Sequence, residues 1–311
     1  MNKSQTIFVT GATGFVGRHL VAALLSNGFK VIVGVRDTTN VDPRVETKRF
    51  VLNEHTDVDL TGVDCVIHLA GLAHTVNASA EKLNEINHVG TQRISQLAAK
   101  QGVKKFIFLS SIGVNGCSND SPFTEDSAAN PFNDYTVSKY HAEQALTDAT
   151  NYSKMQSFII RAPLIYGKDA PGNFQKLIKF ANSNMPLPFG SIQNERSLCS
   201  ISNLCDFIMC CCSTSNLELK QIENFVIADN EPVSTSALFK AISGALGKTP
   251  RLVGVPKTLL SLIFKAARKQ QLETSLMHDL TVDNSYAKQK LNWEPRLTLM
   301  QELSGLNIQN R

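Results

Sequence analysis

The sequence lacks an uncharged apolar run of about 18 residues, the length that a membrane-spanning helix needs. The longest candidate, NLCDFIMCCC, is short and carries Asp206. The N-terminal MNKSQT has neither an apolar core nor a cleavage site, so the sequence predicts no signal peptide. We therefore expect no stable membrane insertion and a cytoplasmic location.

Metal-binding and nucleic-acid-binding patterns are also missing. The seven cysteines show no CxxC pair with zinc spacing. Cys205 and the run Cys210–Cys212 lie in an apolar segment, which indicates buried reduced thiols, with a redox or metal role as the alternative. The net charge is +4, and no run of basic residues resembles a nucleic-acid arm. We expect no metal and no nucleic acid, and the mild positive charge suits an anionic small substrate.

The composition and the pattern of apolar residues indicate a folded α/β protein. Hydrophobic residues make up 42% and charged residues 19%, which is enough for a sizeable core. Near-continuous apolar runs alternate with helical patterns, as in a doubly wound parallel sheet covered on both faces. The predicted strands are 6–10, 30–35, 65–70, 105–110 and 157–162, with a weak one at 49–52, and the predicted helices are 14–27, 79–101 and 134–149.

A glycine-rich loop, TGATGFVG (10–17), joins the first predicted strand to the first helix. Gly11 permits the tight turn, Gly14 lets the backbone approach a pyrophosphate, and Gly17 lets helix and strand pack closely. The helix N-terminus adds N–H groups and a partial positive charge. The loop predicts a dinucleotide site on a Rossmann-type sheet, and a purely structural turn is the alternative.

The end of the second strand bears on the choice of cofactor. Many NAD-binding domains place an acid there to bind the ribose hydroxyls. This chain has Val35 at that place, followed by Arg36, which can pair with a 2′-phosphate. Asp37 comes one or two positions late, although it is near enough to reach the ribose. The pattern favours NADP(H) as the cofactor, with NAD(H) as the alternative. For Arg36 itself, the alternative is a solvated loop arginine that contacts no cofactor.

The pattern changes after Gly167, where prolines, glycines and short helices mix with isolated strands such as 224–229. We predict a dinucleotide-binding domain over 1–165 and a smaller C-terminal α/β domain over 166–311 that can share elements with the first. The segment 257–269 is basic and amphipathic. We expect its Leu and Ile face to pack on the domain, with contact to a membrane surface as the alternative.

Two YxxxK pairs occur, YTVSK (135–139) and YAKQK (286–290). The first begins a predicted helix, so Tyr135 and Lys139 share one face, and strand 105–110 ends nearby in sequence at Ser110 and Ser111. A free tyrosine is only ~0.1% ionised at neutral pH. A nearby ammonium and a positive nicotinamide can lower its pKa. We predict that YTVSK is catalytic and that YAKQK is a surface helix face.

Together these motifs resemble the extended short-chain dehydrogenase/reductases, the NAD-dependent epimerase/dehydratase family. HLAG (68–71), NHVGT (87–91), RAPLIYG (161–167) and S-S-I-G-V-N-G (110–116) match its patterns as well. The resemblance makes Ser111, Tyr135 and Lys139 catalytic, with Lys139 also bonding the nicotinamide ribose. It gives Asn87 a bracing role and His68 a structural one. The implied cofactor contacts are Gly11, Thr13, Gly14, Phe15, Val16, Gly17, Arg36, Leu69, Ala70, Gly71, Ser110, Tyr135, Lys139 and Pro163.

The resemblance also implies a substrate, because the family's second domain binds a nucleotide-diphosphate-sugar. Arg196 matches an arginine of the family that pairs with a substrate phosphate. The planar guanidinium can donate two hydrogen bonds to phosphate oxygens at once. A surface arginine without a ligand is the alternative. Asn203 departs from the family's usual Asp. The implied substrate contacts are His74, Ser111, Tyr135, Asn173, Arg196 and, more weakly, Arg251.

The reaction implied is hydride transfer at C4 of a UDP-(N-acetyl)hexose. Ile112 and Gly113 follow the catalytic serine where 4,6-dehydratases carry an Asp-Glu pair, which disfavours that reaction. A 4-keto reductase is favoured by Arg36, and a 4-epimerase with tightly bound NAD is the alternative. The branch it resembles acts in surface polysaccharide synthesis. A regulator that only senses dinucleotides is disfavoured, because such proteins typically lose the tyrosine. Two long predicted helices suggest a homodimer.

Overall fold

Within the part of the chain that the computed structural model describes (residues 4–37, 41–52, 57–72, 78–183, 185–216 and 218–306), seven parallel strands form one sheet in the order β3-β2-β1-β4-β5-β6-β9. The chain adds its first strands on one side of β1 and then, from β4 onward, on the other side, as in the Rossmann arrangement. The predicted fold class is therefore confirmed. The strands are β1 Thr6–Thr10, β2 Lys30–Val35, β3 Glu46–Arg49, β4 Cys65–His68, β5 Lys105–Ser111, β6 Gln156–Ala162, β7 Leu164–Tyr166, β8 Leu198–Ser200 and β9 Ile222–Val226.

Helices cover both faces of this sheet. Ile7 and Val9 of β1 face a core that includes Leu20 of the first helix, whereas Phe8 points to the opposite core. All three β1 side chains are fully buried, which explains why the strands read as continuous apolar runs. The helices are α1 Phe15–Ser26, α2 Ala80–Leu83, α3 Gly90–Lys100, α4 Asp134–Asn151, α5 Gly172–Asn182, α6 Ile201–Ser213, α7 Thr235–Ala245, α8 Lys257–Ala266, α9 Gln270–Met277, α10 Ser285–Leu291 and α11 Leu299–Ser304.

Two predicted boundaries are wrong, and one predicted helix is irregular inside. The helix predicted over 79–101 runs from Ala80 to Lys100, as α2 and α3 joined by a π-helical segment at Asn84–Val89. Such turns inside helices are often found at functional sites. The weak strand at 49–52 is displaced to β3, a mostly exposed edge strand whose polar residues hid it from an apolar pattern. The predicted strand 65–70 ends at His68.

The C-terminal half has a core of its own, built around Tyr166, Phe174, Phe189 and Phe239. It also contributes β9, which pairs with β6 in the main sheet. A short second sheet joins β7 to β8. The two-domain division at residue 165 stays a prediction, and the chain shares a strand across it.

The cysteines lie where their apolar neighbours suggested. Cys205, Cys211 and Cys212 are buried, Cys210 is half-buried, and no cysteine is in a disulfide. Burial raises the pKa of the Cys205, Cys210 and Cys211 thiols. No cluster of metal-ligating side chains and no helix long and apolar enough to cross a membrane occurs in the described ranges.

Helix α8 packs differently from the expectation. Leu260 is buried and Phe264 is half-buried against the C-terminal core. Leu259, Leu262 and Ile263 instead face outward. The prediction that the Leu and Ile face packs on the domain is therefore wrong for these three side chains.

Candidate active site

The glycine loop has the geometry that its spacing predicted. Gly11 has φ +72°, and a Cβ there would lie 2.6 Å from the backbone N of Ala70. A side chain at Gly11 is therefore excluded by both conformation and space. The N–H of Gly14 donates to the carbonyl oxygen of Gly11 at 3.0 Å, which closes the turn.

Close packing of α1 on this turn requires the last glycine of the loop. A Cβ at Gly17 would lie 2.1 Å from the carbonyl oxygen of Gly11. Thr13 and Gly14 are exposed, Phe15 and Val16 are half-buried, and no side chain caps the N-terminus of α1. The backbone N–H groups of that first turn are thus presented at the surface, which fits the pyrophosphate of a dinucleotide.

A buried polar network supports the adjacent loop after β4. The two ring nitrogens of His68 lie 2.6 Å from Thr10 Oγ1 and 3.1 Å from Thr91 Oγ1. Burial lowers the pKa of His68 to about 3, so the ring is neutral and structural. Asn87 accepts from the backbone N of Leu72 and donates to its carbonyl oxygen, which is the predicted bracing role.

Residues 69–71 are held at the carboxyl end of the sheet by this network. Leu69 and Ala70 are half-buried and Gly71 is exposed. A Cβ at Gly71 would lie 2.9 Å from Asn87 Oδ1, so the brace also fixes glycine at this position. The loop faces the switch point between β1 and β4, where dinucleotides bind in such sheets.

The end of β2 is open to solvent. Val35 is buried in the core, whereas Arg36 and Asp37 are exposed. Within the described ranges, Arg36 makes no hydrogen bond or ion pair. Its guanidinium is therefore available to a ligand at the cofactor edge.

Tyr135 and Lys139 lie on the first two turns of α4. Asn133 caps the helix in a capping box with Thr136, which fixes where the helix starts. Lys139 is buried, its Nζ donates to the carbonyl oxygen of Leu109 at 2.6 Å, and it stands 4.0 Å from the centre of the Phe108 ring. The lysine is thus held rigidly against β5.

Ser111 ends β5 and caps a short 3₁₀ turn, Ile112–Val114, where its hydroxyl accepts from the N–H of Gly113 at 3.1 Å. A Cβ at Gly113 would lie 2.6 Å from Thr136 Cγ2 and 3.3 Å from Ser111 Oγ. Since Thr136 follows Tyr135, this close approach brings the serine beside the start of α4.

The second YxxxK pair lies elsewhere. Tyr286 is on α10, and its hydroxyl donates to Glu223 Oε2 at 2.8 Å. Lys290 Nζ stands 5.9 Å from the centre of the Tyr286 ring. This pair ties α10 to β9 and lies away from the glycine loop in the fold.

The pKa values of the predicted pair bear on how the tyrosine is activated. Burial raises the pKa of Tyr135 to about 12. Burial also lowers the pKa of Lys139 to about 7, and the charge of Glu143 only partly opposes this. The protein by itself therefore does not lower the tyrosine pKa, so the lowering that we expect depends on the positive nicotinamide together with the charged lysine.

Sequence reasoning missed a buried ion pair beneath this site. Arg161 of β6 donates to both carboxylate oxygens of Glu143, at 3.0 and 2.6 Å. Ser110 Oγ donates to the same carboxylate at 2.5 Å, and Arg161 also donates to Asn115. The signal was available, since Glu143 is four residues after Lys139 and Arg161 interrupts an apolar strand. The hydroxyl of Ser110 is thus engaged inside the protein.

The predicted substrate contacts are spread over the C-terminal half. Arg196 donates to the carbonyl oxygens of Thr274 and His278, at 3.4 and 3.0 Å. Burial lowers its pKa, and its environment includes Cys117, which follows the loop after Ser111. Asn173 is exposed at the start of α5, and Arg251 is exposed. Pro163 is buried between β6 and β7, and His74 lies outside the described residues.

Comparison with known proteins agrees with this geometry. The NAD dependent epimerase/dehydratase family matches residues 7–228. A protein of Vibrio cholerae named UDP-glucose 4-epimerase is 37% identical over 308 residues, covering 96% of this chain and 93% of that protein. The MoeE5 complex with UDP-glucuronic acid and NAD has the same fold, with a TM-score of 0.79 and 22% identity over 96% of this chain and 97% of the other.

A second solved structure, the UDP-N-acetylglucosamine 4-epimerase of Bacillus cereus, has a TM-score of 0.74 at 17% identity and covers 97% of this chain and 95% of its own. At such identities the structures show the fold alone. The family match spans well over half of the chain and includes the glycine loop, Ser111, Tyr135 and Lys139. The chain is therefore an enzyme of the NAD-dependent epimerase/dehydratase family.

Proposed function

We propose that this enzyme transfers hydride at C4 of a UDP-linked hexose or N-acetylhexosamine and that it works as a 4-epimerase. The observation that carries the proposal is the placing of Ser111, Tyr135 and a buried Lys139 at the carboxyl edge of the sheet that also holds the glycine loop. The full-length similarity to a protein named UDP-glucose 4-epimerase supports the sugar and the carbon.

Each residue has a role that its position allows. Bound NAD(P) supplies the hydride acceptor and donor. Tyr135 takes the proton from the C4 hydroxyl and returns it to the C4 oxygen. The Ser111 hydroxyl, already oriented by Gly113, holds the same oxygen. Lys139 would hold the nicotinamide ribose and, when charged, would favour the ionised tyrosine.

The phosphates and the surrounding chain complete the proposed site. The first turn of α1, which begins at Phe15, would present backbone N–H groups to the dinucleotide pyrophosphate, and the glycines of the loop let that turn form and pack closely. Arg196 and Asn173 are the proposed contacts to the diphosphate-sugar, and Arg251 and His74 are further contacts that the resemblance implies. Arg196 is held by two backbone carbonyls, which leaves its remaining N–H groups for a phosphate.

A 4-keto reductase is the second candidate, and Arg36 is the observation that favours it. The arginine is exposed, without a protein partner in the described ranges, at the strand end where an acid would select NAD. A 2′-phosphate would meet a guanidinium there, so NADPH fits this edge. Net reduction needs a reduced cofactor from outside, whereas an epimerase returns its hydride to the sugar.

One assay separates the two candidates. We would mix the purified protein with UDP-glucose or UDP-N-acetylglucosamine and follow formation of the C4 epimer. In parallel, we would mix it with a UDP-4-keto-6-deoxy-N-acetylhexosamine and follow oxidation of NADPH and NADH. Epimer formation without net cofactor consumption supports the epimerase, and stoichiometric consumption with the keto sugar supports the reductase.

Matched variants guard the interpretation. Tyr135→Phe should lower the turnover rate at least about a hundredfold, because it removes the acid–base group. Tyr286→Phe, in the second YxxxK, should keep turnover. Arg36→Ala should weaken NADPH binding more than NADH binding if the cofactor assignment is right. Full turnover in Tyr135→Phe would overturn the role proposed for Tyr135, whereas a parent protein that binds NAD(P) but turns over neither substrate would favour a dinucleotide sensor.

Two further expectations stay proposals. Packing of α3 against α4 forms the helix pair on which a homodimer would be built. A role in surface polysaccharide synthesis follows only from the resemblance. Sedimentation velocity tests the dimer, and the products of the assay above would show which sugars the enzyme supplies.

A further inference from the structure

The outward face of α8 is an apolar patch on the C-terminal half. Leu259, Leu262 and Ile263 are 50%, 64% and 53% exposed. Their spacing of three and four residues places them on one side of the helix, whereas Leu260 beside them turns into the core. Val253, shortly before the helix, is 48% exposed. We call Leu259, Leu262 and Ile263 the α8 patch.

The charge around the α8 patch is one-sided. Residues 232–272 contain seven Lys and Arg residues and no acid. The whole chain carries +4, so the rest of it carries a net −3. Exposed cations of this segment lie at or just beyond the ends of α8: Lys257, Lys265, Arg268 and Lys269.

The first acid after this segment does not offset the charge at the surface. Glu273 on α9 is half-buried, and its carboxylate accepts the hydroxyl of Ser261 at 2.5 Å. That bond also ties α8 to α9, so the patch is a fixed surface. Large side chains held outward in this way, with cations around them, match the composition of an interfacial helix.

We propose that the α8 patch docks the enzyme on an anionic lipid bilayer. The three apolar side chains enter the boundary between headgroups and acyl chains, and the surrounding cations meet lipid phosphates. A second copy of this chain is disfavoured as the occupant, because a two-fold contact through the patch would bring the same cations together. The docking is peripheral, since α8 has only 10 residues.

The test is co-sedimentation of the full chain with two kinds of vesicle, phosphatidylcholine alone and phosphatidylcholine with phosphatidylglycerol. We expect binding to the anionic vesicles that weakens as salt rises. Leu259→Ser/Leu262→Ser/Ile263→Ser should bind them at least about tenfold less. Lys265→Glu/Lys269→Glu should also lose binding, by roughly fivefold for each cation.

Controls use exposed residues outside the patch. Tyr152→Ser/Met300→Ser removes exposed apolar side chains, and Lys154→Glu/Lys220→Glu makes the same charge change, and both should bind as the parent does. Circular dichroism checks that each variant is folded, and turnover without vesicles should be unchanged in all of them. That readout keeps failure of the docking distinct from failure of the proposed function.

Several results would overturn the docking proposal. One is a parent protein that does not bind anionic vesicles, and another is a serine variant that binds them equally well. A concentration-dependent dimer in sedimentation velocity that disappears in the serine variant, without vesicle binding, would assign the patch to self-association instead.

Discussion

Lys139, the proposed catalytic lysine, should make the enzyme less stable at neutral pH because burial disfavours its charged form. Lys139 is only 7% exposed, and burial lowers its pKa from 10.5 to about 7. In the unfolded chain the lysine is fully protonated at pH 7, so folding must work against its charge. Lys139→Met, a straight-chain replacement of similar size, should remove this penalty and abolish turnover.

The size of the effect follows from the two pKa values. With pKa values of 10.5 unfolded and about 7 folded, linkage gives a penalty of roughly 4 kcal/mol at pH 7 and roughly 2 kcal/mol at pH 9. The methionine loses the hydrogen bond to Leu109 and the contact with the Phe108 ring, which together offset about 2 kcal/mol. A net gain of about 2 kcal/mol at pH 7 should therefore shrink towards zero by pH 9.

The sign of the pH dependence is specific. The folded pKa is depressed, so the unfolded state binds more protons between pH 7 and 10.5, and parental stability rises with pH relative to the variant. Buried thiols act oppositely, but they are present in both proteins and cancel in the difference.

Urea unfolding of Lys139→Met and its parent at pH 7, 8 and 9 measures the difference, provided that the slopes with urea are equal. Lys290→Met is the control for loss of a lysine from the second YxxxK. A difference that is independent of pH, or a variant less stable than its parent at pH 7, would refute the reasoning.

Three other substitutions test packing and charge. Glu143→Gln should cost about 3–5 kcal/mol in urea unfolding because Arg161 stays buried without its anion, and Glu143→Met/Arg161→Met should recover most of that. Asn203→Asp should destabilise the protein more at pH 8 than at pH 5 in thermal unfolding. A carboxylate oxygen would replace Asn203 Nδ2, which lies 2.7 Å from Asp229 Oδ1, and the two carboxylates would repel each other. Gly17→Ala should weaken NAD(P) binding at least tenfold by calorimetry because its Cβ overlaps Gly11, whereas Gly244→Ala, which meets no atom within 4 Å, should not.

Prediction from sequence succeeded where chemistry restricts the residue type. A Cβ at Gly11 or Gly17 would lie within 2.6 Å of a backbone atom, so the chain needs glycine at both positions. Their spacing, between an apolar run and a helical pattern, therefore indicated a strand, a turn and a helix. The buried strands β1 and β5 were found because their neighbours on both faces demand apolar side chains. In each case a local pattern carried the three-dimensional constraint.

Prediction failed where the constraint was not local. Strand β3 exists because it adds to the edge of β2, and its residues Glu46–Arg49 show no apolar pattern of their own. The outward turn of Leu262 and Ile263 depends on which face of α8 the C-terminal core accepts. Periodicity shows that a helix has an apolar face but does not show what covers it.

Hydrogen bonds that the sequence did not reveal explain why residue 203 is Asn rather than the family's usual Asp. The family pattern that the sequence resembles usually has Asp at this position. In the structure its Nδ2 donates to Asp229 Oδ1, while its Oδ1 accepts from the backbone N atoms of Arg296 and Leu297. An aspartate could accept those backbone bonds but could not donate to Asp229.

Asp229 in turn needs donors. Burial raises its pKa, and hydrogen bonds from Tyr166, the backbone of Ser200 and Asn203 oppose that rise. These donors come from β7, the end of β8 and the first turn of α6, so one carboxylate ties the second sheet to α6. Because two facing carboxylates would repel, an acid at 229 and an amide at 203 form one unit, and replacing either residue requires changing the other.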